Sequence, residues 1–145
     1  MINKNKFNII KSKKINVCGI PFGFEGHVIN NISEINQKNV IYLAKDDKDA
    51  DIIKNSLFFF NSKIEVMNFP AWDCLPYDRS GPRLKIQSDR LTFLSKLCEC
   101  DTSKKVIIAT VNAITQRVIP KNHLEKLIFH LTIGKPIDII KLKDF

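Results

Sequence analysis

Short apolar runs rich in β-branched residues alternate with longer amphipathic segments along most of this chain. The apolar runs lie at 15–20, 39–44, 64–69 and 105–109, and each has the length of a buried strand. Parallel strands need a crossover connection of a dozen or more residues, which is usually a helix. The alternation therefore predicts an α/β fold in which a parallel sheet carries helices on its faces.

The amphipathic segments predict four helices, at 25–36, after Asp46, from about 86, and over 111–117. Asp46 is placed to cap the second helix, because its side chain can accept a hydrogen bond from an unpaired N–H of the first turn. The expected core stripe of that helix is Ala50, Ile53, Leu57 and Phe60. The expected core stripe of the third helix is Leu91, Leu94 and Leu97. Beyond these, a strand is predicted at 127–133 and a helix from Asp138.

The chain length of 145 residues suits one domain, or one domain and the start of a second. We expect a basic tail at 1–14, an α/β domain at 15–126, and the start of a second domain at 127–145. No apolar run approaches the roughly 20 residues of a membrane helix, and no signal core is visible, so a cytoplasmic protein without a membrane partner is expected. The four cysteines are expected as reduced thiols.

The formal net charge of +8 would suit a nucleic-acid-binding surface if it were concentrated on the folded part. Residues 1–14 carry five lysines and no acid, whereas residues 15–120 carry thirteen basic and twelve acidic side chains. The centre of the chain is therefore nearly neutral. This distribution favours a compositional origin of the charge over a functional one.

A glycine-bearing loop follows the first predicted strand, where a phosphate-binding loop would lie in such a fold. The loop contains Gly19, Gly23, Glu25 and Gly26. A Walker A loop needs a lysine for the β- and γ-phosphates and then a hydroxyl residue for magnesium, but Glu25 and Gly26 occupy these positions. A carboxylate at the lysine position repels a triphosphate. We therefore interpret the loop as a degenerate nucleotide loop, a tight turn that leads into a helix, and expect no cofactor.

The sequence gives only weak indications of a metal site or of a nucleophilic cysteine. The pair Cys98 and Cys100 lacks the second ligand pair of a structural zinc site. Cys74 has no neighbouring base that would lower the pKa of its thiol. We predict neither a metal site nor a catalytic residue.

The proline-rich segment at 69–90 concentrates the features most suited to an interaction surface. Its candidate site residues are Trp72, Tyr77, Asp78, Arg79 and Arg90. The segment either presents aromatic and arginine side chains to a partner, or packs them against its own sheet. Composition alone does not separate these alternatives. We also hypothesise that Asp78 and Arg79 anchor the loop to the sheet.

Three separated motifs resemble the N-terminal region of the bacterial transcription-repair coupling factor family, Mfd. They are FPAWDCLPYD, RLKIQSDRLTFLSKL and VIIATVNAITQRVIP, in the family's order. The terminal stretch FHLTIGKPIDIIKLKDF resembles the start of the next domain in Mfd and in the excision-repair protein UvrB.

The resemblance implies a UvrB-like, P-loop-NTPase-like domain with a degenerate nucleotide loop. It implies UvrA as the partner, with RNA polymerase and DNA bound by family domains that this chain lacks. It also implies that ATP-driven translocation belongs to those domains, so that this chain is not itself an enzyme. The alternative is a freestanding nucleotide- or nucleic-acid-binding remnant of a helicase-like enzyme, and Glu25 favours the first hypothesis.

Four polar residues follow the fourth predicted strand, at the sheet edge where α/β proteins usually bind ligands. These are Thr110, Asn112, Gln116 and Arg117. Without a Walker loop beside them, we expect a structural role for these residues.

Overall fold

A computed structural model describes residues 14, 16–75, 78–99 and 103–128, together with 133, 134, 136, 139 and 143. Three parallel strands form the sheet of this described part: β1 (Val40–Ala44), β2 (Glu65–Phe69) and β3 (Lys105–Thr110), in the order β1-β3-β2. Helices flank the sheet, which confirms the predicted α/β class. The predicted division into tail, α/β domain and second domain stays a prediction, because residues 1–13 and most of 129–145 lie outside the described residues.

Five α-helices precede, connect or follow the strands of the described chain. They are α1 (Glu25–Asn36), α2 (Asp47–Phe60), α3 (Leu84–Cys98), α4 (Val111–Thr115) and α5 (Lys121–Leu124), and a 3-10 helix (Glu125–Leu127) follows. The bounds of α1 are those predicted. Asp46 caps α2 as predicted, since its Oδ1 accepts a hydrogen bond of 2.8 Å from the Asp49 backbone N–H. None of these helices is long and apolar enough to cross a membrane.

Both faces of the sheet are packed against helices, which explains why β3 is buried along its whole length. On one face, Ile29 of α1 and the α2 stripe of Ala50, Ile53 and Leu57 cover Ala44, Val106 and Ile108. On the other face, Phe93 of α3 and Ala113 of α4 pack with Met67, Phe69, Ile107 and Ala109. The two crossover connections thus lie on opposite sides, and the α2 stripe is confirmed, although Phe60 is only half-buried.

One predicted strand is not found among the described residues, and another lies largely outside them. Residues 16–20 form no strand, and Gly19 has a φ of +73°, a left-handed conformation that interrupts a pleated strand. Residue 15 lies outside the described residues. Leu127 ends the 3-10 helix instead of opening a strand, and residues 129–132 also lie outside the described part. The helix predicted over 111–117 ends at Thr115.

The predicted core stripe of α3 is confirmed only at Leu94, which packs against the core, and is wrong at Leu91 and Leu97. Leu91 and Leu97 are 45% and 47% exposed, and Leu94 is half-buried. Arg90 and Phe93 face the core instead, exposed to only 2% and 7%. The helix takes this phase because Arg90 finds aromatic and carbonyl partners inside the fold, which compensate for burying its charge.

Close contact between α1 and α2 depends on Gly26. The Gly26 N–H donates a hydrogen bond of 3.1 Å to Ser56 Oγ, and Ser56 Oγ donates one of 2.6 Å to the Gly23 carbonyl. A Cβ at position 26 would meet Ser56 Oγ and would lie 2.6 Å from the Ser56 carbonyl carbon and 2.7 Å from the Leu57 nitrogen. Only glycine lets the two helix backbones approach this closely.

We predict that Gly26→Ala lowers the free energy of unfolding by about 1 to 3 kcal/mol, the usual range for overpacking. Urea unfolding measures this loss. Gly81→Ala is the matched control, because a Cβ there meets no atom within 4 Å. Equal unfolding midpoints for the two variants would contradict the packing role of Gly26.

Candidate interaction site

The carboxyl ends of the three parallel strands meet at one edge of the sheet. The proline-rich loop leaves this edge after β2, and α4 begins there directly after β3. Thr110 caps α4, since its Oγ1 accepts a hydrogen bond of 3.3 Å from the Ala113 N–H. Ligands of α/β folds usually bind at this edge. The residues that follow β2 and β3 are therefore the first place to look for a site.

The glycine loop before α1 is closed by the protein's own side chains. A turn joins Pro21 to Phe24, whose N–H donates a hydrogen bond of 3.0 Å to the Pro21 carbonyl, and Gly23 takes a φ of +84°. The N–H groups of a helix N-terminus are the donors that bind phosphate. Here the Gly26 N–H is already donated to Ser56 Oγ. Sequence reasoning missed Ser56, although a serine beside the apolar stripe of α2 is a visible signal.

Negative charge gathers at the start of α1. Glu25 is half-buried, and its Oε2 is buried without a hydrogen-bond partner among the described residues. Tyr42 Oη donates a hydrogen bond of 3.3 Å to Asp49 Oδ2. Burial, then the Asp49 carboxylate, and more weakly the Glu25 carboxylate raise the pKa of Tyr42 to about 12. The position of the Walker lysine thus holds an acid that lies within electrostatic range of Tyr42.

Arg90 of α3 is the side chain against which the proline-rich loop packs. Its guanidinium carbon lies 4.2 Å from the centre of the Phe69 ring and 4.3 Å from the centre of the Trp72 ring. Cation–π contacts of this kind are stronger when the cation is desolvated. Burial also lowers the pKa of Arg90 below its usual value. We name Arg90, its two stacking rings and the Gln116 amide the arginine lock.

Gln116 connects the two chain segments of the arginine lock. Its Oε1 accepts a hydrogen bond of 3.1 Å from Arg90 Nη1 and one of 2.8 Å from the Trp72 backbone N–H. Arg90 Nη1 also donates a hydrogen bond of 2.6 Å to the Pro70 carbonyl. The loop after β2, helix α3 and the end of α4 are therefore joined through one guanidinium and one amide. The structural roles expected for Thr110 and Gln116 are confirmed.

The structure does not bring the other predicted loop residues into the arginine lock. Asp78 and Arg79 are exposed, and their hydrogen bonds stay inside the loop: Asp78 Oδ1 accepts one of 2.8 Å from the Arg79 N–H. The hypothesis that they anchor the loop is wrong, because Arg90 and Gln116 hold it. Asp73 closes the loop by an ion pair of 3.0 Å with Arg83. Tyr77 lies outside the described residues.

The sequence left open whether the loop presents its aromatic side chains to a partner or packs them against its own sheet. Half-buried Trp72 has features of both alternatives. One part of the indole stacks on Arg90, while the residue also lines the surface cavities beside the loop. The described residues hold no group of three or more histidine, cysteine or acidic side chains that could bind a metal ion, and Cys18, Cys74 and Cys98 are free thiols. The loop and Trp72 therefore suit an interaction surface whose shape is held by the buried guanidinium of Arg90.

Fold and site together define a parallel α/β domain with a self-closed glycine loop and an arginine-locked surface loop. Among curated proteins, the chain is similar to transcription-repair-coupling factors. It is 28% identical to that of Haemophilus influenzae over 121 residues, which is 83% of this chain and 10% of the relative. For Escherichia coli K12 the identity is 32% over 97 residues, 67% of this chain and 8% of the relative. For Rickettsia prowazekii it is 28% over 106 residues, 72% and 9%.

These similarities confirm the resemblance inferred from the three motifs: the chain resembles the N-terminal module of the transcription-repair-coupling factor family. The chain spans about a tenth or less of the length of these relatives. No family model matches it, and no solved structure matches it.

We predict that Tyr42 makes stability depend on pH in the alkaline range. The fold raises the pKa of Tyr42 from 10.0 to about 12, so it favours the protonated phenol. This contribution is complete below pH 10 and is lost as the pH rises from 10 towards 12. Urea unfolding at a series of pH values should show a steeper loss for the native chain than for Tyr42→Phe. Parallel curves would contradict the raised pKa.

We predict that Arg90→Ala lowers the free energy of unfolding by about 3 kcal/mol, because it removes two charge-assisted hydrogen bonds and two cation–π contacts. Trp72 is the only tryptophan, so its emission reports the unfolding transition directly. Arg79→Ala removes the same charge from an exposed position and should change stability by less than about 0.5 kcal/mol. A similar small effect of both variants would show that the arginine lock does not hold the loop.

Proposed function

We propose that the chain is the N-terminal, non-catalytic module of a transcription-repair coupling factor. In this role it takes part in transcription-coupled nucleotide excision repair in the cytoplasm and recruits UvrA in the manner of UvrB. Its fold is then that of the first UvrB domain, a P-loop-NTPase-like sheet with a degenerate nucleotide loop. Contacts with DNA and RNA polymerase, and ATP-driven translocation, are assigned to the parts of the family proteins outside this chain.

The observation that carries this proposal is the closure of the glycine loop. Ser56 Oγ accepts the hydrogen bond of the Gly26 N–H, the donor that a phosphate would need at the start of α1. Glu25 adds a carboxylate where a nucleotide site carries a lysine. Both features oppose phosphate binding, so we propose that this module binds no nucleotide. They argue equally against the alternative, a nucleotide-binding remnant of a helicase-like enzyme.

Similarity to the coupling factors supports the repair role. It covers 67 to 83% of this chain but only 8 to 10% of each of the three relatives named above. A segment of this size in a much longer protein suits a module that works by contact. The contacts that we assign to the partner are two exposed residues: Asp78, which ends the first family motif, and Arg79, which follows it.

The test is a titration of the 145-residue chain with UvrA of the same organism, with ATP binding measured in parallel. We predict UvrA binding without ATP binding. The double variant Asp78→Ala, Arg79→Ala should weaken UvrA binding by about tenfold, which is 1.4 kcal/mol. Lys104→Ala, an exposed change at the opposite edge of the sheet, should leave the affinity unchanged.

In the same experiment, Glu25→Lys distinguishes two effects on ATP binding: the charge at position 25 and the closure of the loop by Ser56. Because Ser56 still occupies the Gly26 N–H, this variant should bind no ATP even though it restores the lysine. ATP binding by the native chain, or failure to bind UvrA, would overturn the proposed function.

A further inference from the structure

Two surface cavities flank Trp72 and together form one groove. The larger, of about 580 Å³, lies between the proline-rich loop and the end of α4. The smaller, of about 200 Å³, lies between α3 and the segment 117–119. Trp72 and Arg117 line both cavities, so the two spaces are adjacent and these side chains form the wall between them. We call this the Trp72 groove.

The walls of the Trp72 groove expose aliphatic side chains to solvent. Leu75 is 76% exposed in the larger cavity, and Val118 is 51% exposed in the smaller one. Leu91, which the predicted α3 stripe placed in the core, lines the smaller cavity and is also exposed. Exposed apolar surface gathered in a concave site, with a polar rim, is typical of an interaction site. Leu91, which α3 turns away from the core, thus adds apolar surface to the groove.

The described charged residues that line the Trp72 groove are all of one sign. They are Arg90 and Arg117, and no acidic residue of the described chain lines either cavity. Arg90 is paired with neutral acceptors, the Pro70 carbonyl and the Gln116 amide, and its Nη2 is buried without a partner among the described residues. Arg117 is exposed, and its side chain takes part in no ion pair or hydrogen bond of the described chain. Neither guanidinium charge therefore has a carboxylate partner among the residues that the structure describes.

We propose that the Trp72 groove docks a polypeptide segment that carries apolar side chains and at least one carboxylate. The apolar side chains cover Leu75, Leu91 and Val118, while the carboxylate pairs with Arg117 at the wall between the two cavities. The positive potential of buried Arg90 strengthens this pairing, because its charge is weakly screened. The inference goes beyond the proposed function, since it defines the chemistry of the docked segment whichever protein carries it.

Single-stranded nucleic acid fits this groove less well than a peptide. Nucleic-acid grooves stack successive bases on free aromatic faces. Among the described lining residues Trp72 is the one aromatic side chain, and Arg90 covers a face of its indole. The other apolar side chains of this described lining are aliphatic. A phosphate backbone would find arginines here, but the described lining offers its bases no free aromatic face.

The test is a selection from a random peptide library displayed on phage, with the full 145-residue chain as bait. We expect the enriched peptides to share an acidic residue next to apolar ones. A synthetic copy of the strongest binder is then titrated while Trp72 emission is followed, since this residue lies in the groove wall and is the only tryptophan. An oligothymidine strand is titrated in the same way.

Matched variants decide the outcome. Arg117→Glu and Leu75→Ser change exposed groove residues and should each weaken peptide binding by about tenfold or more. Lys38→Glu makes the same charge change as Arg117→Glu between α1 and β1, at the opposite edge of the sheet, and should leave binding unchanged. The proposal is overturned if no peptide is enriched, if the enriched peptides lack acids, if Arg117→Glu binds as the native chain does, or if oligothymidine binds in the groove and the peptide does not.

Discussion

A buried guanidinium organises the carboxyl edge of this sheet. Arg90 lies between two aromatic rings and donates to a loop carbonyl and to Gln116, so one side chain joins the loop after β2 to α3 and α4. A proline-rich loop cannot hold itself by a regular backbone ladder, because its prolines lack N–H donors. The arginine supplies the missing donors. The phase of α3 follows from this requirement, and so does the exposure of Leu91 that shapes the Trp72 groove.

The closed glycine loop before α1 supports the proposal that this domain binds no nucleotide. In a nucleotide-binding relative of the fold, the glycine loop leaves its N–H groups free for phosphate. Here Ser56 reaches from α2 to the Gly26 N–H and to the Gly23 carbonyl, and the loop becomes a packing element between two helices. The groove proposed beside Trp72 lies elsewhere in the fold, between the proline-rich loop, α3 and the segment after α4. The exposed features of the described chain suit contact with other molecules.

Local patterns predicted the parts of the fold that depend on local physics. The bounds of α1 and the capping of α2 by Asp46 follow from apolar periodicity and from the needs of a helix N-terminus. The prediction of a strand at 15–20 was wrong. Apolar content shows neither whether a neighbouring strand is available for pairing nor that Gly19 takes a positive φ. Ser56 and the burial of Arg90 were not predicted, because both depend on partners more than fifteen residues away. The three family motifs, in contrast, located the loop at once, although not the contacts that hold it.

A double-mutant cycle between Arg90→Met and Gln116→Leu tests the central claim, that these two side chains act as one unit at the sheet edge. The free energies of unfolding of the native chain, both single variants and the double variant give the coupling energy. The account predicts a coupling of about 1 to 3 kcal/mol, as expected for members of one hydrogen-bond network. Losses that add to within about 0.3 kcal/mol would show that the two residues act independently, and would contradict the arginine lock.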